Sequence, residues 1–123
     1  MILVDANVWI AHFRRPDERL LHLLSAEGVL CHPMIVGELA CGMIPRRAAT
    51  LADLRDLPAA RHATDEEVIA FIEARGLSGS GIGFLDAHLL AAATITPGTR
   101  IWTRDVRLDR AATRLGLRAY ADA

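Results

Sequence analysis

The chain has 123 residues, 52% of them apolar and 24% charged, with a formal net charge of −1. That length and apolar content fit one domain with a packed core, and they exclude a disordered chain or a small cysteine-stapled scaffold. The charge balance excludes the broad basic face of a strongly cationic nucleic-acid binder and leaves only local patches.

Strand-like apolar runs alternate along the chain with amphipathic helical ones. "MILV" reads as a strand buried on both faces, and Asp5 ends it. A helix is expected to open at Asn7, a good N-cap, and to run through "VWIAHF" to the turn "RRPD", where Asp17 caps the next helix. That helix, "ERLLHLLSAEG", repeats its leucines at helical spacing and closes at Gly28. "VLCH" is the second strand, and Pro33 opens the helix "PMIVGELACG" at a first-turn position that tolerates proline. Arg46 to Leu57 reads as a further helix ended by Pro58. Thr64 and Glu67 form a capping box for "DEEVIAFIEAR", which Gly76 terminates. After the loop "LSGSGIG" comes the helix "FLDAHLLAAATI", then the strand "RIWT", a helix "RLDRAATRLG" behind Asp105, and a last short strand "LRAY". Strand and helix in this alternation predict a parallel sheet with helices on both faces.

Cys31 and Cys41 make no disulfide framework and are expected among apolar neighbours, as reduced thiols suited to the cytoplasm. A zinc site from Cys31, His32 and Cys41 lacks any paired ligand spacing. No apolar stretch is long enough to span a bilayer, and Asp5 interrupts the N-terminus before a signal-peptide core forms. The basic residues number 14 and all are arginine, with pairs at Arg14-Arg15 and Arg46-Arg47 and a scatter from Arg100 to Arg118. Arginine suits bidentate phosphate contacts, although any one of these fits a solvated helix face as well.

In parallel α/β sheets ligands bind beyond the carboxyl ends of the strands. Asp5 and Asp105 both stand there. Glu38 lies in the otherwise apolar "MIVGELACG", and Asp86 in the first turns of "FLDAHLLAAA". Singly, each acid has a plain explanation: Asp5 and Asp105 as helix N-caps, Asp86 as a favourable charge at a helix start, Glu38 as the partner of an arginine. Together, four acids on apolar elements need compensating positive charge, because an unpaired buried carboxylate costs several kcal/mol and clustered carboxylates raise one another's pKa. Oxygen ligands from carboxylates suit a hard divalent cation.

The blocks "MILVDANVWI", "VGELACG", "GIGFLDAHLLAAA" and "WTRDVRL" resemble, in order and over nearly the whole chain, the four motif blocks of PIN-domain ribonucleases, and more closely the VapC toxins of bacterial type II toxin–antitoxin pairs. The resemblance implies a single PIN-like nuclease domain over residues 1–123: a central parallel twisted sheet flanked by helices in an α/β/α sandwich. It places Asp5, Glu38, Asp86 and Asp105 in an acidic quartet that holds Mg²⁺ or Mn²⁺, with Asn7 and Thr103 as supporting polar groups. It implies hydrolysis of RNA phosphodiester bonds to 5′-phosphate and 3′-hydroxyl ends, a small antitoxin protein that blocks the site, and a homodimer. Asp109, one turn after Asp105, is an extra acid read as a solvated helix-face residue. Arg104 and Arg107 flank Asp105 and are candidate contacts for RNA or antitoxin. The histidines, Trp9 and Trp102 are read as structural, and the "GSGIG" loop lacks the spacing of a dinucleotide site. An aspartyl-phosphate enzyme or receiver domain would need a lysine, which the chain lacks. A noncatalytic PIN-like RNA- or protein-binding module is the remaining alternative.

Overall fold

The computed structural model describes residues 1–120. Its centre is a parallel sheet of three short strands, β1 (Ile2–Val4), β2 (Val29–Leu30) and β3 (Arg100–Trp102), in the order β2-β1-β3. β1 is the middle strand. Leu3 faces Leu30 on one side and Ile101 on the other, and Val4 pairs with Trp102. The strand buried on both faces, as read from "MILV", is therefore the one with a neighbour on each edge. Single bridges extend the edges, Cys31 to Ala59 and Ile101 to Arg118.

The helices are α1 (Ala6–Arg14), α2 (Glu18–Ser25), α3 (Pro33–Ala40), α4 (Arg47–Asp56), α5 (Asp65–Arg75), α6 (Phe84–Ile95) and α7 (Val106–Arg114). Several of their boundaries are set by the residues that the sequence marks. Thr64 and Glu67 exchange hydrogen bonds of 3.1 and 2.9 Å in a capping box at the start of α5, and Gly76 ends that helix in the left-handed region at φ 61°. His32 Nδ1 accepts from Met34 N at 3.0 Å and opens α3, with Pro33 in its first turn. No helix among the described residues is long and apolar enough to cross a membrane.

Three sequence expectations are corrected. The first helix opens at Ala6, because Asp5 is its N-cap, accepting from Ala6 N at 2.7 Å; Asn7 lies inside the helix. "LRAY" makes one bridge rather than a strand: Ile101 N donates to Leu117 O and Ala119 N to Ile101 O, and then the chain bends so that the Tyr120 ring meets Trp102 edge-on at 4.9 Å. Cys41, at the exposed C-terminal end of α3, is open to solvent, whereas Cys31 is buried.

The core lies on and around the sheet. Leu3, Val4, Ile35, Leu39, Leu89, Leu90 and Ala92 are wholly buried, and α6 is buried without interruption from Ala87 to Ala93. A helix buried on every side over this run, His88 included, runs through the middle of the molecule. Asp86 stands immediately before this buried run, so the most deeply seated helix fixes its position. Replacing Leu90 by Ala is expected to cost about 2–5 kcal/mol of unfolding free energy, measured by denaturant titration.

Candidate active site

The parallel order of β1 and β3 brings their carboxyl ends side by side, and the backbone bond from Asp5 N to Trp102 O at 2.9 Å carries the ladder one step beyond the strands. Past that step, side chains join the two segments. Thr103 Oγ1 donates to Asp5 Oδ2 at 2.7 Å and accepts from Asn7 Nδ2 at 3.2 Å and from Asp105 N at 3.0 Å. Asn7 Nδ2 also lies 3.2 Å from Asp5 Oδ2, and Asn7 Oδ1 accepts from Arg104 N at 3.0 Å. Asn7 and Thr103 thus tie the two strand ends together around a buried carboxylate.

The plain explanations for three acids hold in the structure, Asp86 lying in the first turn of α6. Asp5 caps α1, and Asp105 caps α7, its Oδ1 accepting from Arg107 N at 2.8 Å and Leu108 N at 3.2 Å. Capping leaves oxygen to spare. Among the described residues no hydrogen bond engages Asp105 Oδ2. Asp86 at the start of α6 accepts from Gly83 N through Oδ2 at 3.2 Å and keeps Oδ1 open. Glu38, exposed on α3, has no hydrogen-bond partner among the described residues. α3 packs against both α1 and α6, which carries Glu38 toward the other acids.

Their electrostatics show that they share one neighbourhood. Burial pushes the Asp5 carboxyl above its ordinary range despite the bonds from Thr103 and Ala6 N, and the charges of Asp86 and Asp105 push it further. Glu38 is raised by desolvation and by Asp5 and Asp86, and Asp86 by desolvation and by Asp105. No ion pair among the described residues involves any of these acids, so the alternative that Glu38 is the partner of an arginine finds no ion pair. As the side chains stand, no group of three or more acids, histidines or cysteines among the described residues is converged for a metal ion. The acids are coupled through space without touching. The donor chemistry nevertheless fits a hard divalent cation: every donor is a carboxylate oxygen, several are uncommitted, and Glu38 is free to change rotamer.

Other candidates fall away from this cluster. Asp109 is ion-paired with Arg118 at 2.7 Å. Trp9 and Trp102 are core residues. His88 is wholly buried and meets Asp65 of α5 at 2.9 Å, and its ring lies near those of His32 and His62. Burial, with the neighbouring His62 and His88, pushes His32 down to about 4, so it is neutral at ordinary pH. The apolar groove of about 370 Å³ between α3 and α4 contains none of the four acids. Arg104 and Arg107 do flank Asp105, on an exposed turn. The stem of Arg107 lies against Gly81, whose left-handed φ of 87° calls for glycine. The "GSGIG" loop is thus a seat for Arg107. Nothing in the pattern of residues marks the hydroxyl of Thr103 as the hub, because its partners lie up to 98 positions away.

Over residues 2–114 the sequence matches the family described as PIN domain. The chain belongs to the PIN-domain family. Among its relatives, ribonuclease VapC32 of Mycobacterium tuberculosis, in strains CDC 1551 / Oshkosh and ATCC 25618 / H37Rv, is 42% identical over 117 residues, covering 95% of this chain and 94% of the relative. These relatives bear out the resemblance of this PIN domain to VapC-type ribonucleases. FitAcB from Neisseria gonorrhoeae, known from a crystal structure, superposes with a TM-score of 0.59 at 22% identity, covering 92% of this chain and 94% of its own. That likeness speaks for the α/β PIN fold alone.

The raised carboxyls carry a sign. An acid that ionises less readily in the folded protein than in the unfolded chain leaves its stability contribution intact below the unfolded pKa, and that contribution is lost as pH rises through the raised folded value. Without divalent ions, the Glu38→Gln protein is expected to melt above the parent at neutral pH, with the gap closing as pH falls below the ordinary value of 4.5. Thermal melts across that range in a chelator test this, and a gap independent of pH would disprove it.

Proposed function

We propose that this PIN-domain protein is a VapC-type endoribonuclease toxin that hydrolyses RNA phosphodiester bonds with a divalent cation held by Asp5, Glu38, Asp86 and Asp105. The observation that carries this reading is the electrostatic coupling of carboxyls from four separate chain segments: Asp5, Glu38 and Asp86 are raised, Asp105 adds its charge, and no arginine is ion-paired with any of them. Like charges so placed are stabilised when a cation joins them.

When bound, Mg²⁺ or Mn²⁺ supplies neutralisation of the phosphate oxygens and a water acidic enough to attack at neutral pH. The chain's own residues set the stage. Thr103 and Asn7 hold the Asp5 carboxylate in one orientation, which is the work of supporting partners around ligating carboxylates. Asp105 is fixed by the first turn of α7 and Asp86 by Gly83 N, each with one oxygen turned to no protein donor among the described residues. Glu38 completes the set from α3. Arg104 and Arg107, on either side of Asp105, contact the anionic backbone of the substrate, which the acids alone would repel. No histidine pair or ribose hydroxyl is needed as nucleophile.

The name of the relatives, ribonuclease VapC32, supports RNA as substrate. The VapC resemblance supports a small antitoxin as partner, a homodimer, action in growth or translation control, and a cytoplasmic setting. α1, α2 and α4 leave a shallow apolar cleft of about 220 Å³ lined by Trp9, Phe13, Leu24 and Leu57, a surface that suits an amphipathic partner helix.

The parent protein is expected to cut RNA with Mg²⁺ or Mn²⁺ and to stop in a chelator. Asp86→Asn should lower the rate at least about 100-fold, since even outer partners of a metal site cost about 10–100-fold. Sequencing the RNA ends from cells expressing each protein gives the same comparison together with the cleavage site. A parent protein inert toward every RNA with either metal would favour the noncatalytic binding module.

A further inference from the structure

Beside the acid cluster lies a second feature that none of the motif blocks announces. A cleft of about 420 Å³ opens where the turn between α1 and α2 faces the turn after β3, and its walls include Arg15, Asp17, Glu18, Arg19 and Arg104. Arg104 is the residue between Thr103, the hub of the acid site, and Asp105. Arg104 thus links the two: its N–H donates to Asn7 Oδ1 at 3.0 Å beside Asp5, and it lines the cleft.

The turn that carries Arg15 is firmly built. Pro16 restricts the residue before it to extended backbone, and Arg15 is extended at φ −147° and ψ 114°. Its N–H donates to Ala11 O at 3.0 Å, and Asp17 N donates to His12 Nδ1 at 2.9 Å, so both sides of Pro16 are tied to α1. Asp17 Oδ1 then accepts from the first turn of α2, and Oδ2 meets Arg19 at 3.4 Å. The Arg19 guanidinium lies 4.7 Å over the Trp102 ring and 5.2 Å over the Tyr120 ring.

The charges in this cleft do not cancel. Asp17 is compensated by Arg19 and by the N-terminus of α2, leaving Glu18 against Arg15 and Arg104. Neither Arg15 nor Arg104 has a carboxylate partner among the described residues. Both are exposed, and arginine forks match phosphate oxygens. An anionic chain crossing the acid site needs a seat for the phosphate beyond the one being cut, and this cleft is contiguous, cationic and held in shape by the turn.

We propose that the cleft between the Arg15–Pro16–Asp17 turn and Arg104 binds a backbone phosphate of single-stranded RNA flanking the scissile bond. The proposal rests on the nuclease reading for its direction, and it adds Arg15 as a positioning residue. Single-stranded RNA is the form proposed, since such strands are held by isolated backbone contacts of this kind together with splayed bases.

The test is fluorescence anisotropy with a short labelled oligouridylate over a series of salt concentrations, using the Asp86→Asn protein so that the probe survives. Against that background, Arg15→Ala should reduce the slope of log affinity against log salt by about 0.7, and Arg15→Ala with Arg104→Ala by about 1.4, the increment per phosphate contact on single strands being about 0.7. Arg15→Lys should restore much of the slope, since a point charge still meets phosphate. In the cleavage-competent protein, Arg15→Ala should raise KM for RNA. Unchanged thermal melts identify variants whose fold is intact. An unaltered salt slope in the folded double variant overturns the proposal, even if the parent cuts RNA. A parent that cuts no RNA overturns the nuclease reading, while the anisotropy series still decides whether the cleft binds the strand.

Discussion

A carboxylate at the buried end of a parallel strand stays in place only if its oxygens are met by donors. Asp5 is that carboxylate, and the donors come from two distant parts of the chain. Ala6 N takes one oxygen, while Thr103 and Asn7 take the other. Asp105 inherits its position from this arrangement, while Asp86 is set by α6 and Glu38 by α3. Thr103 can donate to Asp5 only because β1 and β3 run parallel and end together, and Asp105 is placed because its own N–H reaches back to the same Thr103 hydroxyl.

On the proposed reading, one residue serves both folding and chemistry. A cap and a metal ligand are often treated as rival explanations for an acid at a helix start, but a carboxylate has two oxygens and several lone pairs. Asp105 gives one oxygen to α7, and Asp86 gives one to Gly83 N, and in each the other is left over. The helix starts thus fix the direction of the spare oxygens without engaging them. The same economy keeps arginine at the rim: Arg107 lends its backbone N–H to Asp105 while its side chain rests on Gly81, away from the carboxylate.

Much of this was legible in the order of residues. Turns and caps such as Thr64 with Glu67, Pro33 and Gly76 act over a few positions, so local pattern suffices to find the helix ends. The four acids stand out in the sequence because Asp5, Glu38 and Asp86 lie in apolar runs and Asp105 follows the end of a strand; the structure adds that they lie within one another's electrostatic reach. Asn7 misled as an N-cap because Asp5, two positions earlier, is equally suited, and only the strand pairing of Asp5 N with Trp102 O decides between them. "LRAY" has the alternation of a strand, but β3 offers it a single pairing residue before Tyr120 turns to Trp102. The family resemblance marks Asn7 and Thr103 as supporting groups, but the bonds that Thr103 makes and the Arg15 cleft both join segments far apart in the chain, and no short-range pattern encodes such a meeting.

The Thr103 hydroxyl has a further consequence. It receives N–H groups from Asn7 and Asp105, so its own hydrogen has one remaining destination, Asp5. Substitutions at positions 5, 7 and 103 are therefore not independent, and the effect of changing two of them departs from the sum of the single changes.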